Sequence, residues 1–197
     1  MTESPRGSAI EMLWHKWRIQ ALLVVGLRER ALEALDGLLA RWPGHRYLLS
    51  SRANLRAQTG DARGAIADLR ALVTASPDDA HGWFNLGFVL EQQGELAEAE
   101  AAFTRSTVLS EKLDRAWYGL GLVLIRQQRH RDALVALKRN TELQPMSPYG
   151  WYQMARVHMD LNEPEEARKI LRHLEGFEPK VAAQLKRETG LEGATPS

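Results

Sequence analysis

The chain contains no cysteine, and this absence excludes several kinds of chemistry at once. Without cysteine there is no disulfide, thiolate nucleophile, iron–sulfur cluster or cysteine zinc site. An excess of charge of one sign is also lacking, since 26 Lys and Arg stand against 25 Asp and Glu. A nucleic-acid binder or a polybasic membrane binder needs clustered cations. The overall charge therefore favours neither class, but it does not exclude a local patch of cations.

Long hydrophobic runs are scarce. The segment at residues 19–27, IQALLVVGL, is the only one that imitates a targeting signal. It is too short to span a bilayer, which takes about 20 apolar residues. Arg28, Glu29 and Arg30 follow it, where a secretory signal needs a small-residue cleavage site. We interpret the segment as a buried helix and expect a cytoplasmic protein without a membrane span.

Motifs for catalysis or metal binding are missing as well. The six histidines show no HExxH spacing, and the chain has neither a glycine-rich phosphate loop nor G-x-S-x-G. One polar cluster surrounds a single turn between helices and contains His158, Asp160, Glu163, Glu165 and Glu166. Acidic residues favour the N-terminus of a following helix, so we expect a solvated turn, with a metal site as the minor alternative. We predict no catalytic residues, no metal, no cofactor and no enzyme activity.

What the chain does have is a period of 34 residues. Tryptophan recurs at this interval at Trp83, Trp117 and Trp151. Alanine recurs in the same phase at Ala31, Ala65, Ala99, Ala133 and Ala167. Proline does so at Pro43, Pro77, Pro145 and Pro179, with Glu111 in the missing place. A fixed period of this length is typical of stacked repeat units.

Within each period the residues resemble the tetratricopeptide repeat, whose pattern is W-x2-L-G-x2-Y, then A-x3-F, then P. The third repeat matches it at Trp83, Leu86, Gly87, Leu90, Ala99 and Phe103. The first two repeats keep only the later half of the pattern. In their opening halves His15 and Leu49 replace the tryptophan, and Arg18 and Arg52 replace the leucine.

This resemblance implies an all-α fold, a right-handed solenoid of stacked helix–turn–helix repeats. Five repeats are expected at residues 12–45, 46–79, 80–113, 114–147 and 148–181. An N-terminal tail is expected at residues 1–11. Residues 182–197 are expected to contain a short capping helix and a disordered tail. The capping helix runs from Pro179 to Glu188 and contacts the last repeat through Leu185, and the tail covers residues 189–197.

The helical interpretation also follows from the residues themselves. Trp83, Leu86, Gly87 and Leu90 are spaced i, i+3, i+4 and i+7, which places them on one face of a helix. Glycine recurs between the two helices of the first three repeats, at Gly26, Gly60 and Gly94. A chain that leaves a helix often needs a left-handed residue there.

The first helix is unusually rich in aromatic and other large apolar residues, with Met12, Leu13, Trp14, Trp17, Leu22 and Leu23. Two interpretations stay open. These side chains could pack on the second repeat, or they could form an exposed end that contacts a partner or a second copy of the chain.

The family resemblance also places a binding groove on the first helix of each repeat. Mapped onto this chain, the groove residues are Asn54, His81, Phe84, Asn85, Phe88, Arg115, Tyr118, Leu122, Tyr149, Tyr152 and Arg156. We therefore expect a scaffold or adaptor, co-chaperone-like in its mode of action, that binds a segment of another protein and no nucleic acid. The alternatives are a self-associating assembly factor and a regulatory subunit of an enzyme on another chain.

One branch of the family holds chain-terminal carboxylates with a clamp of three cations and two asparagines. Asn54 and Asn85 match the asparagines, and Arg115 matches one cation. Ser50 and Gly119 stand in place of the other two, so most of the charge-assisted hydrogen bonds to a dianionic chain end are lost. We predict instead that Phe88 and Leu122 form an apolar shelf for a peptide.

Charge is unevenly distributed along the repeats. The third repeat is acidic and the fourth is basic. Patches of opposite sign can neutralise each other between neighbouring repeats or face water. The alternative is a surface that steers a partner or supports head-to-tail self-association.

Overall fold

A computed structural model describes residues 5–191, with side chains from residue 11 onward. These residues form eleven helices and no strand. The helices are α1 Pro5–Val24, α2 Arg28–Arg41, α3 Arg46–Gln58, α4 Ala62–Ala75, α5 Ala80–Gln93, α6 Leu96–Leu109, α7 Asp114–Arg126, α8 His130–Leu143, α9 Pro148–Asp160, α10 Pro164–Phe177 and α11 Pro179–Thr189. The expected fold class, an all-α solenoid of helix pairs, is confirmed.

The turn inside each helix pair contains a left-handed residue, again every 34 residues. Gly26, Gly60 and Gly94 have φ angles of 81°, 88° and 82°, which confirms the role predicted for them. The fourth and fifth repeats use non-glycine residues at the equivalent positions, Gln128 with φ 60° and Asn162 with φ 58°. The left-handed conformation costs a residue with a β-carbon about 1–2 kcal/mol. The turn geometry therefore persists even where the sequence does not favour it.

The chain divides into two compact units, and the first is Met1–Asp78. Its described part contains α1 to α4. Leu35, Leu48 and Leu72 are among its fully buried side chains. Inside it, the Arg52 Nε donates to the Asp68 carboxylate at 2.9 Å. This ion pair occupies a place where the third repeat carries Leu86 and Ala102, which explains why Arg52 departs from the family pattern.

The second unit is Asp79–Ser197, and its described part contains α5 to α11. The largest of its fully buried side chains is Phe103 of α6. A β-carbon on Gly87 would lie 2.9 Å from the Phe103 ring, and one on Gly119 would lie 2.6 Å from it. The backbones of α5 and α7 therefore approach this ring as closely as glycine allows, and the three helices pack tightly.

The ends of the chain differ partly from expectation. Helix α1 begins at Pro5, inside the segment 1–11 that was expected to be a tail. Proline suits the first turn of a helix, because its φ is already helical and its missing N–H would have no partner there. At the other end α11 packs through buried Leu185 and Ala182, as the capping interpretation requires. The outermost parts of the predicted tails, residues 1–4 and 192–197, lie outside the described residues.

Helix α1 is buried on only one side. Met12 and Ile19 are buried, whereas Leu13, Trp14 and Trp17 are exposed, Trp17 by 74%. The interpretation of residues 19–27 as a buried helix is wrong for its later part, because α1 ends at Val24 and both Val24 and Val25 are exposed. As the first helix of the first repeat, α1 has packing partners on one face only.

Candidate peptide-binding groove

The candidate groove is formed by α5, α7 and α9, the first helices of the three repeats in the second unit. Ten of the eleven predicted groove residues lie on these helices. The exception is Asn54, which is exposed on α3 of the first unit. Helix spacing explains the shared face, because residues three and four apart along a helix are neighbours on its surface.

Phe84 is the centre of an aromatic cluster in this groove. Its ring stacks on that of Phe88, with 6.4 Å between centroids and 24° between planes. It also meets the buried ring of Phe103 at 5.9 Å. Phe84 is half-buried, whereas Phe88 is 49% exposed. An exposed phenylalanine that stacks on a half-buried ring, which itself contacts a buried one, offers a fixed apolar surface.

Two arginines lie over groove aromatics. The Arg115 guanidinium is 5.0 Å from the Phe84 ring centroid, and that of Arg156 is 5.8 Å from the Tyr152 centroid. No carboxylate within ion-pair distance is found for either arginine among residues 11–191. Because stacking uses the flat face of a guanidinium, the N–H groups along its edge stay available to a carboxylate.

Acidic groups elsewhere on the third repeat are engaged by arginines of the fourth. Arg126 donates both to the Glu91 carboxylate, at 2.6 Å, and to the Glu91 carbonyl, at 2.8 Å. Arg129 likewise pairs with Glu100 at 2.6 Å. These contacts join the acidic third repeat to the basic fourth, so the two patches neutralise each other at these four residues. Arg115 keeps its positive charge uncompensated.

The fifth repeat contacts the capping helix. The Tyr152 hydroxyl donates to the Glu188 carboxylate of α11, and the Gln184 amide donates to the same carboxylate at 2.8 Å. Burial and the bond to Glu188 raise the pKa of the Tyr152 hydroxyl, while the bond from Tyr152 lowers the pKa of Glu188. The hydroxyl of this predicted groove residue is therefore engaged within the protein. Tyr149, one turn earlier, is exposed.

The remaining predicted residues differ in exposure. His81 is exposed, and Asn85, Tyr118 and Leu122 are half-buried. The polar cluster around His158 is held by contacts within the protein, since the His158 Nδ1 lies 2.9 Å from Glu163. That bond, together with Arg131, lowers the pKa of Glu163. Within residues 11–191 no three histidine or acidic side chains converge as metal ligands.

Gly119 explains why the carboxylate clamp is incomplete. The Phe103 ring fills the space next to its α-carbon, so a lysine or arginine at this position would displace a buried side chain. Sequence reasoning missed this pairing. The signal was present, because Phe103 replaces the leucines at equivalent positions 69, 137 and 171, and Gly119 replaces the larger Asn85 and Gln153.

Among the described residues, no helix has the length and hydrophobicity to cross a bilayer.

Known proteins resemble this chain in sequence pattern and in fold. Two family models, each described as tetratricopeptide repeat, match residues 18–80 and 50–112 and residues 124–187. No curated protein matches the chain in sequence. Among solved structures, MamA from Desulfovibrio magneticus RS-1 is 17% identical with a TM-score of 0.75, covering 90% of this chain and 96% of that one.

Two further solved structures are similar. YrrB, described as a TPR protein with an unusual peptide-binding site, is 19% identical with a TM-score of 0.77, covering 93% of this chain and 98% of its own. A thermophilic TPR protein in Thermus thermophilus is 18% identical with a TM-score of 0.62, covering 88% of this chain and 96% of its own. At these identities the likeness shows a shared fold. With the family matches, it shows that the chain belongs to the tetratricopeptide repeat family.

Proposed function

We propose that this member of the tetratricopeptide repeat family is a non-enzymatic scaffold or adaptor that binds a segment of another protein on α5, α7 and α9. The observation that carries the proposal is the exposed ring of Phe88, stacked on Phe84 beside the uncompensated Arg115. Apolar surface and charge that the fold leaves unpaired are typical of a binding site. The fold likeness to YrrB, a peptide-binding TPR protein by its description, supports the same assignment.

Each group in the groove has a part in this proposal. Phe88 and the half-buried Leu122 form an apolar shelf for hydrophobic side chains of the segment. The Asn85 amide can both donate to and accept from a peptide backbone. The proposed contact residues are those of the second unit, His81, Phe84, Asn85, Phe88, Arg115, Tyr118, Leu122, Tyr149, Tyr152 and Arg156. A contact with Asn54, on the first unit, stays a prediction from the sequence.

Substitution of groove residues tests this function. A partner would first be recovered by affinity capture with the full chain, and its binding segment would then be titrated by calorimetry. We expect Phe88→Ala and Asn85→Ala each to weaken binding by about tenfold or more, the range typical of residues that dominate an interface. Val108→Ala is the matched control, because Val108 is an exposed apolar residue on α6. Wild-type affinity in both groove variants, with unchanged melting temperatures, would overturn the assignment.

A second candidate function is self-association through α1, and the exposed Trp14 and Trp17 favour it. Beside them lies an apolar hollow of about 570 Å³, lined by residues that include Trp17, Val24 and Val25. Sedimentation velocity of the wild type and of Trp17→Ser tests this function. A dimer that dissociates in the variant supports it. A wild-type monomer at all concentrations, in low and high salt, rejects it.

Affinity capture followed by mass spectrometry separates the roles. Recovery of the chain alone favours an assembly factor, and one reproducible non-enzyme partner favours an adaptor. A reproducible enzyme whose rate changes on binding favours a regulatory subunit. The cytoplasmic location and the co-chaperone-like role expected from the sequence stay predictions.

A further inference from the structure

We infer that the groove of the second unit selects segments in which an acidic side chain lies close to a bulky apolar side chain. Arg115 binds the carboxylate and Phe88 contacts the apolar group. The inference rests on the proposed peptide-binding function and names the chemistry of its partner.

Electrostatics favours an acidic ligand. Arg115 and Arg156 have no carboxylate within ion-pair distance among the described residues. Glu91 is bound by Arg126 through both its carboxylate and its carbonyl. A carboxylate brought next to Arg115 therefore meets a guanidinium that pairs with no acid among the described residues. Charge complementarity of this kind selects partners more than it raises overall affinity.

The position of Arg115 is already suited to binding. Its guanidinium lies 5.0 Å from the Phe84 centroid, and Phe84 is in turn held against buried Phe103. A stacked guanidinium loses less side-chain entropy when it binds a carboxylate through two parallel hydrogen bonds. The compact ammonium of a lysine would lack the planar edge that provides both bonds.

The apolar contact lies next to this cation. Phe84 touches both groups, with Arg115 on its face and the Phe88 ring 6.4 Å from its own. Because both groups contact the same ring, a carboxylate and an apolar side chain that lie close together on a bound segment reach Arg115 and Phe88 together.

The acid is an internal side chain rather than the end of a chain. A chain terminus with an acidic last residue carries two carboxylates, and the position that would supply the second cation on α7 is Gly119. The Phe103 ring lies where a side chain on Gly119 would start. One guanidinium suffices for one carboxylate, so a segment with a blocked C-terminus satisfies this site.

Peptide display on the immobilised full chain tests the inference. A library of random internal segments would be selected against the wild type and against variants, and the enriched sequences would be compared. We expect the wild type to enrich segments that carry Asp or Glu close to a large apolar residue. Arg115→Ala should lose the acidic preference and keep the apolar one, and Phe88→Ala should do the reverse. Arg105→Ala, an exposed arginine on α6, should keep both.

Affinities of one enriched peptide, acetylated and amidated at its ends, provide the quantitative test. Replacing its acid by the corresponding amide should weaken binding to the wild type by about tenfold, the effect of losing one hydrogen bond to a charged group. The same replacement should have little effect with Arg115→Ala. An equal loss in both proteins, or groove-bound peptides without an acidic preference, would overturn the inference alone. If the enriched peptides bind Phe88→Ala and Asn85→Ala as tightly as they bind the wild type, the proposed function itself is overturned.

Discussion

The Phe103 ring occupies the space in which a β-carbon on Gly119 would lie, with its nearest ring atoms 2.6 Å from that position. Phe103 is 1% exposed, so its ring has little room to move away. The contact brings α7 against α6 and at the same time removes a side chain from the groove. One residue pair therefore both tightens the packing of the second unit and prevents a clamp for chain termini.

The first prediction concerns this contact. We expect Gly119→Ala to destabilise the second unit by about 1 to 3 kcal/mol, the usual cost of an extra carbon in a packed core. The free energy of unfolding in urea measures it. Gly176→Ala on α10 is the control, because its β-carbon would meet no atom within 4 Å. Adding Phe103→Leu to Gly119→Ala should recover part of the lost free energy of unfolding. A Gly119→Ala protein as stable as the wild type would contradict the packing argument.

The second prediction uses the left-handed turns. Gln128 has a φ of 60° at a position where the first three repeats have glycine. Gln128→Gly should therefore raise the free energy of unfolding by about 1 kcal/mol, since glycine adopts this conformation without strain. Asn162→Gly should gain less, because asparagine tolerates the left-handed region better than glutamine. Gly94→Ala should have the opposite sign, and a loss of stability in Gln128→Gly would refute the prediction.

The third prediction concerns the ion pair of the first unit. The Asp68 side chain is only 4% exposed and accepts from both Arg52 and Arg56. Arg52→Leu leaves this buried carboxylate with one guanidinium fewer and should cost about 3 kcal/mol. Adding Asp68→Ala restores the residue types found at the equivalent positions of the third repeat and should recover most of that loss. A double-mutant cycle in denaturant measures the coupling, and additive effects would show that Arg52 and Asp68 act independently.

The fourth prediction is a pH dependence in the first unit. Burial, and then the positive charge of Lys16, lower the pKa of His45 below its usual 6.5. The folded protein therefore favours the neutral form of His45 more than the unfolded chain does. Its contribution to the free energy of unfolding is fully present above pH 6.5 and is lost as the pH falls through the folded-state pKa. Thermal unfolding at pH 7.5 and 5.5 should show a smaller decrease for His45→Gln than for the wild type. Equal decreases in both proteins would rule out His45 as the source.

The departures from the repeat pattern show how far the sequence could be interpreted. Arg52 stood where leucine was expected, and the structure pairs it with Asp68, which itself replaces the alanine found at positions 34, 102 and 136. Both departures were visible in the sequence. Their connection was not, because it depends on side chains from two helices meeting in the interior.

The sequence by itself determined the repeat period, the helix pairs and the glycine turns, because these follow from residues close together along the chain. It also identified the candidate groove positions by their place in each repeat. Only the tertiary structure decided that Glu91 is bound by Arg126, that Tyr152 contacts the capping helix, and that Arg115 lies over Phe84 without a carboxylate partner within residues 11–191. These partners are about 30 or more residues apart, and their pairing depends on the packing of one helix against another.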